Sequence, residues 1–115
     1  MEKINFSFKK NNKYIINEKS INCIIKNNIV SFIIDNIKYE YSNNVLIKDT
    51  KDSKIIFDFI NKNVTIILKD INKHLNILLT KVDIKNTKNN IKIEYIIETE
   101  KNTNNIISIE YTKSS

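Results

Sequence analysis

The sequence lacks glycine, proline, tryptophan, alanine, arginine and glutamine altogether, and it contains a single cysteine. Without glycine, the Gly-rich loops that cradle phosphates in P-loop and dinucleotide-binding proteins are excluded. Turn positions that need a left-handed backbone must fall to asparagine, the next most tolerant residue. Without arginine, the chain also lacks the side chain that binds phosphate and guanine in bidentate fashion.

Cysteine and long apolar runs are also scarce, and this bears on location. Cys23 alone forms neither an internal disulfide nor a zinc site, so a reduced, cytoplasmic setting is expected. The opening residues MEKINFSFKK hold no apolar signal-peptide segment, and no apolar run of about 18 residues occurs anywhere. We therefore expect a soluble cytoplasmic protein that does not associate with a membrane.

What the chain does contain is 26 isoleucines, 20 asparagines and 19 lysines. These residues have AT-rich codons, which is typical of an AT-rich bacterial genome. The β-branched isoleucines and the missing alanine favour strands over helices. The net charge is +6, but the lysines alternate with apolar residues and mix with acids, as on the solvated face of a sheet. This distribution disfavours a nucleic-acid partner.

Apolar and polar residues alternate in nine or ten short segments that polar turns separate. Such spacing is typical of an antiparallel sandwich or barrel. An isoleucine-rich chain without proline favours closure, because a barrel has no exposed strand edges. We predict an all-β fold, a single antiparallel barrel of about 8–10 short strands forming one domain over residues 1–115. Asn27-Asn28 and Asp35-Asn36 predict two-residue hairpin turns, and 14–17 and 20–26 are separate segments in this interpretation.

The clearest pattern is a hairpin over 90–112. One face of its first strand carries Ile91, Ile93, Tyr95 and Ile97. After a polar break at 101–105, the matching face of the second strand carries Ile107, Ile109 and Tyr111. Antiparallel pairing across that break predicts Ile97 opposite Ile109 and Tyr95 opposite Tyr111.

Residues 70–82 admit two interpretations. Alternation from Leu75 to Leu79 continues at Val82 and Ile84 in a shifted phase, which indicates one extra residue, a β-bulge, near Thr80. The same segment also fits helical spacing, so an α+β fold with one helix near residues 70–82 is the alternative. The strand is favoured because asparagine and threonine are weak helix formers.

The hairpin pattern Ile91-x-Ile93-x-Tyr95, a polar loop and then 105–111 resembles the end of the YwiB-like family of small uncharacterised bacterial proteins. Upstream, 24–32, 64–66 and 75–84 are similar to that family's early hairpin, its central strand and the strand before its last hairpin. The resemblance covers most of residues 20–112 and implies a calycin-like barrel, a domain of unknown function. In this chain asparagine or lysine replaces the family's turn glycines, and the segment before Leu75 is shortened. The family has no established catalytic residues, so the resemblance implies none here.

Residues with reactive side chains are few. His74 is the only histidine, which leaves a metal site short of ligands and favours a solvated or capping role. The apolar neighbours of Cys23 favour an inert buried thiol over a nucleophile that uses His74 as its base. We therefore expect no catalytic residue, no metal ligand and no cofactor, and the chain is not expected to be an enzyme.

Two further groups have a functional alternative. The first group contains the carboxylates of the last hairpin, Glu94, Glu98, Glu100 and Glu110, which could supply the paired acids of a glycosidase. We expect these carboxylates to be solvated, with Lys92 near enough to pair with them. The second is the pair Tyr39 and Tyr41 beside Lys38, which resembles the stripe of an oligonucleotide-binding barrel. Because both tyrosines share a face with Ile37, a core or cavity-lining role is favoured.

Three functions remain open from the sequence. The favoured one is a non-catalytic binding module that holds a small apolar or mixed ligand in the barrel interior, through residues the sequence does not identify. The alternatives are a structural or interaction protein with a filled barrel, and a single-stranded nucleic-acid binder of the oligonucleotide-binding type.

The face assigned to Ile109 can be tested by substitution. Ile109→Asp would bury an unpaired charge, so we expect the domain to lose several kcal/mol of stability and to unfold. A soluble variant with an unchanged melting temperature would show that Ile109 lies on the other face.

Overall fold

The computed structural model describes residues 2–112, and these residues form strands without any helix. The strands are β1 Glu2–Lys10, β2 Lys13–Lys26, β3 Ile29–Ile34, β4 Ile37–Ser42, β5 Val45–Asp49, β6 Ser53–Asp58, β7 Asn63–Leu68, β8 Lys73–Asn86, β9 Asn90–Ile97 and β10 Asn105–Thr112. The all-β prediction is confirmed, and the alternative of a helix near residues 70–82 is wrong. The separate segments 14–17 and 20–26 are also wrong, because both belong to the long strand β2.

The strands form a closed antiparallel barrel in the order β1-β10-β9-β8-β7-β6-β5-β4-β3-β2. Each strand pairs with its neighbours in sequence, and β1 pairs with β10 to close the sheet. The predicted closure is confirmed, and it leaves no strand of the described chain with an unpaired edge. No helix among residues 2–112 has the length and apolar character needed to cross a membrane.

The chain divides into two compact units. Unit 1 contains the described residues up to Cys23 and from Leu79 onward, and unit 2 is Ile24–Leu78. Each unit has its own buried face.

The core of unit 1 comes from the alternating residues of β1, β9 and β10. Phe6 lies opposite Ile109, and Ile109 lies opposite Ile91 on the next strand. The buried side chains of these strands are Ile4, Phe6, Ile91, Ile93, Tyr95, Ile107 and Ile109. Because side chains alternate between the two faces of a strand, the intervening polar residues lie on the exposed face.

The predicted register of the last hairpin is wrong. Tyr95 lies opposite Asn105 and not Tyr111. On this side of β10, the Tyr111 N–H donates to the carbonyl oxygen of Asn89, and on the other side Tyr111 lies opposite Ile4 of β1. The loop covers 98–104, where the Glu100 N–H donates to the carbonyl oxygen of Ile97 at 2.9 Å. Asn105 was expected in the loop but is fully buried in β10, where its Nδ2 donates to the carbonyl oxygen of Tyr95 at 3.3 Å and its Oδ1 has no hydrogen-bond partner among residues 2–112.

The bulge predicted near Thr80 is confirmed. Leu79 lies opposite Ile97, whereas Lys81 lies opposite Ile96, so Thr80 is the extra residue on β8. The bulge restores the phase of the strand, and Val82 then faces Tyr95 on the core side of the sheet.

Unit 2 contains β3 to β7. Its buried side chains are Val30, Phe32, Ile34, Tyr39, Tyr41, Leu46, Phe59 and Val64. Phe32 and Tyr39 are opposite each other on β3 and β4, with stacked rings whose centroids lie 5.2 Å apart. Such aromatic pairs stabilise a sheet beyond the area that they bury.

Asparagine takes the left-handed turn positions, as the sequence predicts. Both residues of each two-residue turn have positive φ, at Asn11-Asn12, Asn27-Asn28, Asp35-Asn36 and Asn43-Asn44. Two consecutive left-handed residues define the type I′ turn, whose twist matches that of the strands it joins.

The Asp35-Asn36 turn provides a test of this chemistry. Asn36 has a φ of 66°, so Asn36→Val should destabilise the protein by about 1–2 kcal/mol, because a β-branched residue disfavours the left-handed region. Asn36→Gly should leave stability unchanged or raise it by a few tenths of a kcal/mol, roughly the scale of glycine's turn preference. Urea denaturation measures both.

A matched control is Asn22, which lies inside strand β2 and is absent from the positive-φ residues. Asn22→Gly should destabilise the protein, and Asn22→Val should not. The same order of stabilities at both positions would contradict the assigned turn.

Candidate functional site

The reactive residues singled out from the sequence do not form a catalytic group. His74 is exposed on β8 opposite Ile67. Cys23 is buried opposite Glu2, and burial, with a smaller contribution from the Glu2 carboxylate, raises the pKa of its thiol. A raised pKa keeps the thiol protonated at neutral pH, and a protonated thiol is a poor nucleophile.

The carboxylates of the last hairpin are dispersed. Glu98 and Glu100 lie in the loop, whereas Glu94 lies on β9 and Glu110 on β10. Glu110 is opposite Asn90, which is four residues from Glu94, so the two carboxylates are roughly 13 Å apart along the sheet. Lys92 faces Ser108 on one side and Lys85 on the other. Within residues 2–112 no three His, Cys, Asp or Glu side chains are grouped to hold a metal ion.

The tyrosines of β4 do not form an exposed aromatic stripe. Tyr39 and Tyr41 are both buried, and burial, followed by the charge of Asp35, raises the pKa of Tyr39. Lys38 lies on the opposite face of β4, where its Nζ is 3.4 Å from a carboxylate oxygen of Glu40. A nucleic-acid base stacked on these rings would therefore lie on one face of β4, and Lys38 would lie on the other.

A cleft of about 210 Å³ lies elsewhere, on the exposed face of β1, β2 and β10 in unit 1. Its lining consists of Asn5, Phe6, Ser7, Tyr14, Asn17, Lys19, Ser108 and Glu110. Ser7 is central, because it lies opposite Asn17 on β2 and opposite Ser108 on β10. Three short side chains in one row leave a hollow where lysine or glutamate would normally cover the sheet.

Two irregularities in β2 border this hollow. The pairing with β1 shifts between Phe8 and Lys9, which leaves Ile15 as an extra residue on β2. It shifts again between Ile4 and Phe6, where Lys19 and Ser20 together face Asn5. Bulges bend a strand and redirect its side chains, and they are frequent beside functional sites.

Ser20 at the second bulge is held in a left-handed conformation, with a φ of 56°. Among residues 2–112 it is the left-handed residue that lies inside a strand; the others are in turns and loops. Its backbone N–H donates to Asn5 Oδ1 at 2.8 Å. A left-handed residue other than glycine costs about 1–2 kcal/mol, and such strained residues cluster at functional sites.

The Asn5 side chain joins three strands at the floor of the cleft. Its Oδ1 accepts from Ser20 on β2, and its Nδ2 donates to Glu110 Oε1 on β10 at 2.7 Å. Both polar ends of the amide are thereby used, which fixes its orientation and holds the Glu110 carboxylate in the cleft.

Tyr14 borders the cleft and is 55% exposed, whereas Phe6, the other aromatic residue of the lining, belongs to the buried core. Lys9 lies opposite Tyr14 on β1, with its Nζ 4.5 Å from the centre of the Tyr14 ring. This cation–π contact restrains the ring while leaving it accessible. The lining thus combines one accessible ring with hydroxyl, amide, carboxylate and ammonium groups, a set suited to hydrogen bonding.

Sequence reasoning missed this cleft because its polar residues follow the ordinary alternation of a solvated strand face. One signal was available in β2. Ile16 and Ile21 are five positions apart, whereas two residues on the same face of a regular strand are an even number of positions apart. This break in the alternation indicates the bulge at 19–20.

The role of Asn5 can be tested by removing its side chain. Asn5→Ala removes the acceptor for the Ser20 N–H and the donor to Glu110, so we expect a loss of about 1 kcal/mol in unfolding free energy. We also expect faster hydrogen exchange at the Ser20 amide, measured by NMR. Asn22→Ala, at an exposed position on β2, should change neither quantity. Unchanged exchange at Ser20 in the Asn5 variant would contradict the anchoring role.

Comparison with known proteins gives no relative for this chain: no family model, no curated protein and no solved structure matches it.

Proposed function

We propose that the chain is a non-catalytic binding module whose cleft on β1, β2 and β10 takes a small ligand of mixed polar and apolar character. The observation that carries the proposal is the strained bulge at Ser20, fixed by Asn5 beside a hollow of about 210 Å³. Strain of this kind persists only where the surrounding structure imposes it, and strained residues cluster at active sites, ligand clamps and switch regions.

The lining of the cleft supports a ligand of mixed character. Tyr14 offers an accessible ring, and Ser7, Asn17 and Ser108 offer hydroxyl and amide groups. The core residues of unit 1, in contrast, pack against one another, and Ile4, Ile93 and Ile109 are fully buried. The proposal therefore puts the ligand on the exposed face of unit 1, whereas the sequence suggested the barrel interior.

The proposed role is binding and not catalysis. The serines of the cleft stand among amides, a lysine and a carboxylate, and the lining has neither histidine nor cysteine. Activation of a serine as a nucleophile normally requires an adjacent general base held in turn by a third group.

We also propose that the chain is related to the YwiB-like family and has the calycin-like fold that the resemblance implies. Support comes from the closed antiparallel barrel and from the position of the resembling segments, which lie on β8, β9 and β10 with Ile91, Ile93 and Tyr95 buried. A cytoplasmic location is part of the proposal, supported by the free thiol of Cys23, which a reducing compartment preserves.

The binding function can be tested with a variant that fills the cleft. Native mass spectrometry of the protein purified from its own host should show a retained small molecule, or a metabolite panel should raise the melting temperature. Ser7→Ile places a large β-branched side chain at the centre of the hollow and should abolish either effect.

The matched control is Ser31→Ile, a half-buried serine on β3 of unit 2, opposite Glu40. It should retain the ligand and the thermal shift. A clean apo mass with no shift across the panel would contradict the binding function and favour a structural or interaction protein. Equal behaviour of the two variants would contradict the assignment of the cleft.

A further inference from the structure

We infer that the ligand of the cleft is a neutral saccharide, bound one sugar ring at a time. This inference rests on the proposed function and specifies its ligand class. Three features of the cleft carry it: the balance of donors and acceptors, the balance of charge, and the size of the hollow beside Tyr14.

The hydrogen-bonding groups of the cleft are evenly mixed. The Ser7 hydroxyl can donate and accept, whereas the Ser108 hydroxyl accepts, because it donates its own proton to Asn90 Oδ1 at 3.3 Å. The Asn17 amide has one end of each kind, and Lys19 donates while Glu110 accepts. A ligand that only donates or only accepts would leave part of this lining without partners. A sugar hydroxyl does both, so adjacent hydroxyls on one ring satisfy adjacent groups of either kind.

The charges that line the cleft oppose each other. Lys19 and Glu110 both border the hollow, and Asn5 holds Glu110 there through a hydrogen bond of 2.7 Å. An anionic ligand would meet the Glu110 carboxylate, and a cationic ligand would meet the Lys19 ammonium. Each kind of ion would thus meet one like charge and one opposite charge, so the lining offers no net attraction to either, and a neutral molecule loses nothing by lacking charge.

The size of the hollow fits a single ring. Its volume of about 210 Å³ is below the range of about 300–1,000 Å³ typical of drug-sized ligands. Tyr14 at its border offers an apolar ring surface for the C–H face of a sugar. A fatty acid would cover this ring but bury the surrounding amides without partners.

Saturation-transfer NMR on the full chain tests the ligand class. The probes are glucose, galactose, mannose and N-acetylglucosamine with their linear trisaccharides, and the comparison ligands are glucose 6-phosphate, glutamate and palmitate. We expect transfer to at least one neutral sugar, with a Kd on the order of 1 mM for so small a contact. The charged and apolar compounds should show none.

Two variants locate the binding. Tyr14→Ala and Asn17→Ala should each weaken sugar binding by at least about fivefold, the loss expected for one contact. Their controls are Ile24→Ala and Asn22→Ala, exposed residues on β2 that are absent from the lining. Controls should bind as the parent protein does, and circular dichroism should show that all four variants are folded.

The outcomes separate this inference from the function beneath it. Binding of a charged or apolar compound that Ser7→Ile abolishes would overturn the saccharide class while supporting the binding module. Sugar binding that the Tyr14 and Asn17 variants leave intact would overturn the inferred site. If no probe binds, and Ser7→Ile changes neither the retained small molecule nor the thermal shift, both the inference and the proposed function are overturned.

Discussion

The fold depends on the left-handed turns that asparagine provides. A two-residue turn fixes which residues of the adjoining strands face each other, and a slip of one residue would expose the whole buried face. In unit 2 the Asp35-Asn36 turn places Phe32 opposite Tyr39 and Val30 opposite Tyr41. Without glycine, the chain achieves this register with a residue that tolerates positive φ at moderate cost.

Alternation and turn chemistry predicted the barrel, its two-residue turns and the bulge at Thr80, because each depends on neighbours in sequence. The register of the last hairpin was not predictable in this way. Polarity alone assigned Asn105 to the loop, whereas the carbonyl of Tyr95 allows it to be buried at the start of β10. A polar residue in a strand is recognised only when its partner on the next strand is known.

The cleft was beyond prediction for a related reason. Its lining comes from β1, β2 and β10, and β10 is distant in the chain from the other two. Asn5 bonds to Ser20, which is 15 positions away, and to Glu110, which is 105 positions away. Short polar side chains on a wet strand face carry no signal until the strands are aligned. Once they are aligned, the short side chains beside Ser7 form a hollow, and the pairing of β1 with β2 is irregular on either side of Ser7.

The pairing of β1 with β10 has a consequence for the order of folding. β1 is synthesised before β10, so Phe6 meets Ile109 only after all the residues between them have been made. Contacts of such long sequence separation form slowly, and the edge of β1 stays open to other chains in the meantime. The cleft itself includes Ser108 and Glu110 of β10. The cleft is therefore complete only once β10 has paired with β1.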